Sequence, residues 1–187
     1  MDERRKNWQN PELIMEQIGV ISGWTVADIG CGPGYFTSFF SKKVGTDGVV
    51  YAVDSSPLML EKLRANIEKL TSATMSNLRT ISSDASRTMI PLNSVDCVFL
   101  ADVLHDIDDK RSLFSEITRI LKVETGCLVD IDWHKRETEF GPPVEIRLSE
   151  EQTRKLMSDS GFRIIRMFNA GRDHYGFISS RKKSVDT

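Results

Sequence analysis

Apolar and polar positions along this chain switch between two periods, and the switches mark out its elements. WTVADI (24–29), VVYAVD (49–54), VDCVFLA (95–101) and GCLVDIDW (126–133) are short apolar runs, several of them β-branched, and each predicts a buried strand. LRTISS (78–83) is a weaker run of the same kind, ending at Asp84. Between these runs apolar residues recur at helical spacing: Phe36, Phe39, Phe40 and Val44; Leu60, Leu63, Ile67 and Leu70; Leu113, Phe114, Ile117, Ile120 and Leu121. Each set makes one apolar stripe on a helix.

Capping residues fall where the periods change. Asn10 caps and Pro11 opens a leading helix over about 10–19, which Gly19 ends. Ser55-Ser56-Pro57 starts the helix after the second strand, Asp108 or Asp109 caps the one after the fourth, and Ser149 with Gln152 spells a capping box for a last helix ending at Gly161. FRIIRMF (162–168) and HYGFIS (174–179), joined by a short turn, predict a terminal hairpin. Strands alternating with helices imply a mostly parallel sheet covered on both faces, a doubly wound α/β fold. With no repeat, linker or low-complexity stretch, 1–187 reads as one domain, its basic tail frayed over about 181–187.

Composition narrows the partners. The formal net charge is -2 and the basic residues are scattered among acidic ones, which leaves no electrostatic footprint for nucleic acid. No apolar run approaches the ~20 residues that span a bilayer, and MDERRKNWQNPE holds no apolar signal-peptide segment. A cytoplasmic protein is expected, with neither membrane nor nucleic acid as partner; monomer and homodimer both stay open. Cys31, Cys97 and Cys127 form no CxxC pair, so neither a disulfide framework nor a zinc site is implied, and the latter two read as small core residues.

The candidate chemistry lies in ADIGCGPGYF, which puts Gly30, Gly32 and Gly34 between the first strand and the next helix. In open α/β sheets ligands bind in that crevice, and glycines let the backbone come close to them. A dinucleotide fingerprint needs its third glycine at position 35, which is Tyr35, and a P-loop needs Gly-Lys-Ser/Thr, which is absent. A nucleoside-like ligand without phosphate remains. Asp54 ends the second strand, 20 residues after Gly34, where a carboxylate can accept from two ribose hydroxyls. Asp84 and Asp102, after the third and fourth strands, come to the same sheet edge.

In order and spacing, VADIGCGPGYF, AVDSSPLMLEKL, SSDA and ADVLHDIDDKRSLFSEITRILK resemble the cofactor segments of class I S-adenosylmethionine-dependent methyltransferases. The likeness spans roughly residues 10–180 and is nearest the small-molecule branch that includes ubiquinone and menaquinone biosynthesis enzymes. It implies a mostly parallel seven-stranded sheet in the order 3-2-1-4-5-7-6 with strand seven antiparallel, and S-adenosylmethionine as cofactor and S-adenosylhomocysteine as product. Carried over by position, Asp28, Gly30, Gly32 and Gly34 line the methionine end, with Cys31 beside them. Asp54 holds the ribose, next to Ser55, and Met59 lies near the adenine. Asp84 accepts from the adenine amino group, the Ala85 backbone reads the ring edge, and Ala101 or Asp102 offers a carbonyl to the methionine ammonium. Many relatives carry a second histidine where this chain has Asp106.

A sulfonium methyl is already electrophilic, so positioning an acceptor in line supplies much of the acceleration, and a base is needed only where the acceptor carries a proton. His105 and His134 follow strands at the site edge and are the candidate bases, His105 first. Tyr35, Trp133 and Arg147, with His134 and the Gly141-Pro142-Pro143 loop, are candidates for the substrate wall, and Trp8 with Tyr35 for a lid. Trp133 reads equally as a core anchor. Asp130, Asp132 and His134 alternate on one strand face, but acids at a strand end are usually solvated and no metal is expected. The reading is methyl transfer to a small molecule. Its rivals are a catalytically silent cofactor- or partner-binding module of the same fold and a nicotinamide-dependent oxidoreductase.

Overall fold

The computed structural model describes residues 5, 8–70 and 76–182. Its elements are α1 (Pro11–Ile18), β1 (Thr25–Ile29), α2 (Thr37–Val44), β2 (Val49–Asp54), α3 (Pro57–Leu70), β3 (Leu78–Ser82), β4 (Cys97–Ala101), α4 (Lys110–Ile120), β5 (Cys127–Trp133), α5 (Glu150–Asp159), β6 (Phe162–Gly171) and β7 (His174–Arg181). One 3₁₀ turn, Leu104–Asp106, follows β4 and was not signalled by periodicity.

The seven strands form one sheet in the order β3-β2-β1-β4-β5-β7-β6. The first five pair in parallel and β7 runs antiparallel to both β5 and β6, as the resemblance implies. Strand alternation sends side chains to two apolar layers. Val26, Val50, Phe99, Val129 and Ile131 meet Ile14, Met15, Phe36 and Phe40 of the α1–α2 side, where Phe36 and Phe40 lie edge-on to Phe99 at 4.9 and 4.8 Å between centroids. Ala27, Ile29, Val98, Leu100 and Leu128 meet Leu113, Phe114, Ile117 and Met157 of α4 and α5. A smaller cluster sets Leu60, Leu63 and Ile67 of α3 on Ala52.

The caps behave as the sequence predicts. The Asn10 side chain accepts from Leu13 N, Gly19 closes α1 in the left-handed region at φ 77°, Asp109 caps α4 and the Ser149–Gln152 box is complete in both directions. Strand ends differ more. Val95 makes only an isolated bridge to Leu121, so β4 begins at Cys97. β6 continues to Gly171, past two irregularities of register. Fraying does not begin at 181: Arg181 closes β7 and Lys182 Nζ donates to the Ser158 carbonyl and hydroxyl. Tail residues 183–187, the Leu70 side chain and most of the stretch before Trp8 lie outside the described residues. Among the described residues no helix is long and apolar enough to cross a membrane.

Candidate functional site

β1 lies between β2 and β4: the chain leaves it toward β2 and β3, and the β3–β4 connection then crosses back to place β4 on its other side. The crevice at that reversal holds the glycine loop. Gly30 and Gly34 are packed from below: a Cβ would stand 2.4 Å from Val103 Cγ2 at Gly30 and 2.8 Å from Leu63 Cγ at Gly34. Gly32 differs, since at φ +53° nothing lies within 4 Å of where its Cβ would be. The loop is thus pressed onto the fold at two points and open to a ligand at the third. Cys31 turns inward, its thiol pushed up by burial and packed with Ala52, Leu60 and Leu63, so only its backbone can serve a ligand.

Asp54 ties the crevice together. Its Oδ2 accepts from Gly32 N at 2.9 Å and its Oδ1 from Ser56 N at 2.9 Å. A carboxylate offers about four lone-pair sites, so roughly two remain for ligand hydroxyls. Ser55 is exposed and Met59 half-buried beside it. After β3, Asp84 Oδ1 accepts from Ser86 N at 2.7 Å; this bond and that of the Ser86 hydroxyl hold its carboxyl below the usual range. Asp84 is exposed and Ala85 half-buried.

Asp28 faces α2, where Thr37 Oγ1 donates to it at 2.6 Å. Burial pushes its pKa up to about 7, against the opposing pull of that hydrogen bond and of the Arg5 charge. Beyond β4, half-buried Ala101 leads into Asp102, whose φ of 60° is rare for a residue with a side chain. Functional sites collect such strain. Asp102 Oδ2 accepts from Arg5 Nη2 at 2.8 Å, Gln9 Nε2 reaches both oxygens at 3.4 Å, and His174 Nε2 stands 3.2 Å from Oδ1.

His105 lies across the sheet edge on the α4–α5 side. Its Nδ1 is 2.7 Å from Asp132 Oδ1, while Asp132 Oδ2 accepts from the His105 backbone at 3.3 Å. Its Nε2 is 3.4 Å from the exposed Asp106. Burial works against the imidazolium, but the Asp132 hydrogen bond and charge, with the charges of Asp106 and Asp102, outweigh it and the His105 pKa is raised. Asp130, fully buried, is pushed well above the carboxylate range by burial and then by the charges of Asp132 and Asp102. His134 joins neither: its Nδ1 pairs with Glu150 Oε1 at 3.0 Å and its ring lies against Tyr175. Among the described residues no three His, Cys, Asp or Glu side chains are gathered to hold a metal.

Three expected wall residues serve the scaffold instead. Arg147 is 2% exposed. Its guanidinium donates to the carbonyls of His134, Arg136, Phe140 and Pro142 and to Thr138 Oγ1, which makes it the strut of the 134–147 loop. Trp133 is buried between His174, at 4.0 Å, and Trp8, at 5.7 Å, with Gly141 pressed onto its ring. Tyr35 is also buried, and its hydroxyl donates to Gln9 O at 2.7 Å. That bond moors the segment carrying Arg5, Trp8 and Gln9, a strap that sequence reasoning signalled only through Trp8.

Comparison with known proteins shows the family and the fold. Residues 26–124 match the family described as "Methyltransferase domain". The chain is similar to the crystal structure of an S-adenosylmethionine-dependent methyltransferase from Aquifex aeolicus, with a TM-score of 0.88 and 30% identity over 95% of this chain and 93% of that one. It is 32% identical over 120 residues to a demethylmenaquinone methyltransferase of Staphylococcus aureus, covering 64% of this chain and 47% of that protein. The chain therefore spans about half the length of the curated relatives it matches. A methyltransferase structure from Mesorhizobium loti, 16% identical with a TM-score of 0.71, shares the fold.

Proposed function

Because this chain belongs to the S-adenosylmethionine-dependent methyltransferases, we propose that it moves the cofactor's methyl group onto a small-molecule acceptor by in-line displacement. The observation that carries this reading is the Asp54 carboxylate, pinned to Gly32 N and Ser56 N where β1 and β2 part, with acceptor capacity left over. The residues suit the cofactor: open space at Gly32 for its close approach, Asp54 for the ribose, Met59, Asp84 and Ala85 for the adenine, and Asp28 with Asp102 for the methionine end. When bound, S-adenosylmethionine supplies an electrophilic methyl on a sulfonium.

His105 is the base of the proposal. Asp132 accepts the hydrogen bond of Nδ1–H, which leaves the Nε2 lone pair of the neutral ring to accept a proton from an acceptor hydroxyl. The resulting imidazolium is favoured by the same carboxylate. Asp132 orients the ring and stabilises its charge without taking the proton itself, as the third group of a catalytic triad does. His134 is paired to Glu150 and has no part in this scheme.

The demethylmenaquinone methyltransferase among the relatives makes quinol-like rings the first acceptors to try. Two measurements test the reading. Calorimetry with S-adenosylhomocysteine should give saturable binding, and isotopically labelled S-adenosylmethionine should pass its methyl to at least one quinol or phenol of a panel. Binding without transfer to any acceptor would mark a silent module. Saturation by NAD(H) with no response to S-adenosylmethionine would reverse the cofactor assignment.

A further inference from the structure

The strap over the methionine end carries a cation that the cofactor reading has not used. Arg5 Nη2 lies 2.8 Å from Asp102 Oδ2, its Nε donates to Gln9 Oε1 at 2.9 Å, and its guanidinium carbon sits 4.5 Å above the Tyr35 ring and 5.5 Å from that of Phe36. From there its charge also lowers the pKa of buried Asp28. Among the described residues, Arg5 is the one arginine or lysine that pairs with Asp102 or acts on Asp28.

Its position is fixed from behind. Tyr35 donates to Gln9 O at 2.7 Å, and Trp8 packs on Trp133 and His174 at 5.7 and 5.8 Å. The strap runs so close to the β6–β7 turn that a Cβ on Gly171 would come within 1.7 Å of the Trp8 carbonyl. The Arg5 head itself is held by Asp102, by Gln9 and by the faces of Tyr35 and Phe36.

The amino-acid end of the cofactor is a zwitterion, and its two charges need opposite partners within one small space. Asp102 suits the ammonium, and so does Asp28 when it is ionised; a carboxylate placed beside Asp102 would be repelled unless a cation stood between them. A guanidinium is the group that meets a carboxylate through paired, charge-assisted hydrogen bonds. Building on the methyltransferase reading, we propose that Arg5 binds the α-carboxylate of the cofactor's methionine moiety, giving up part of its contact with Asp102 so that Asp102 can meet the ammonium. Arg5 would then decide between the full amino acid and analogues that lack its carboxylate.

The test compares two ligands that differ only there: S-adenosylhomocysteine and S-adenosyl-3-thiopropylamine, which keeps the amine and lacks the carboxylate. Wild-type protein should favour the first by about tenfold or more in Kd, the scale of one charged hydrogen-bonded contact. Arg5→Gln should erase the preference by weakening S-adenosylhomocysteine alone, and Arg5→Lys should keep part of it. The comparison is made within each variant, so a general loosening of the strap shows as equal weakening of both ligands, and that result would overturn the assignment. It is equally overturned if the preference survives in Arg5→Gln or is absent from the wild type. Failure of S-adenosylhomocysteine itself to bind the wild type would overturn the cofactor reading, and Arg5 with it.

Discussion

Replacing Asp54 by asparagine keeps the side chain's shape and removes its charge and half its acceptor capacity. In the native crevice each carboxylate oxygen accepts one backbone N–H at 2.9 Å, from Gly32 and from Ser56. Asparagine has one oxygen and one NH₂ group, so whichever way it turns, a donor faces one of those two N–H groups. The free protein should lose about 1–3 kcal/mol, the cost of one backbone donor left without its acceptor. The ligand loses more than geometry: ribose hydroxyls can still bond to an amide, but charged acceptors are worth ~1.5–3 kcal/mol against ~0.5–1.5 for neutral ones. Over two hydroxyls the difference is about 2 kcal/mol, or roughly thirtyfold in Kd. Calorimetric titration with S-adenosylhomocysteine measures the second figure and urea denaturation the first. An Asp54→Asn protein that binds within twofold of wild type would refute the ribose assignment, even if its stability fell as calculated.

The other predictions concern titration and the scaffold. In Asp132→Asn burial, which lowers the His105 pKa, remains while the two largest causes that raise it, the Asp132 hydrogen bond and charge, are gone and only the smaller pulls of Asp106 and Asp102 are left, so the acid limb of the kcat–pH profile should move to lower pH as kcat falls; an unmoved limb would remove His105 as the base. Arg147→Ala empties the strut of the 134–147 loop and should cost ~2–4 kcal/mol by chemical denaturation, with cofactor affinity nearly unchanged. A large loss of affinity at equal stability would return Arg147 to the site. Asp28 keeps its proton to about 7 when folded against 3.8 as its ordinary value, so its contribution to stability is complete below 3.8 and lost as pH rises through 7. Asp28→Asn cannot titrate, and its stability between pH 4 and 8 should fall less steeply than that of the wild type.

What was legible in the sequence was mostly local. A run such as VVYAVD carries its own strand signal, and β2 begins and ends where that run does. The glycine loop and Asp54 could be placed together because each lies at the end of a strand, and strand ends gather by topology. Side-chain partners were another matter. Arg5 and Asp102 are 97 residues apart and His105 and Asp132 are 27 apart, and no periodicity reports a pairing that depends on the register of β4 against β5 and on the path of the strap. Arg147 misled for a related reason. A single arginine after Gly-Pro-Pro has the composition of an exposed loop, and only the folded loop, with its carbonyls turned inward, makes burial of the guanidinium favourable.

The alternation of β5 explains why the proposed acid–base group and the aromatic wall do not compete for one space. Asp130 and Asp132 point to the α4–α5 side, where Asp132 holds His105, while Trp133 points to the α1–α2 side and packs at a tilt against His174 and against Trp8 of the strap. One strand end thus serves a proton-handling pair on one face and a hydrophobic support on the other. Asp102 stands between the two faces, forced into its left-handed turn and already shared by Arg5, Gln9 and His174. A small acceptor entering past Asp102 would meet the His105 edge on one side and the strap on the other. The acceptor's shape should therefore be selected by Arg5, Trp8 and Gln9 and by residues 102–106, rather than by the loop that Arg147 holds shut.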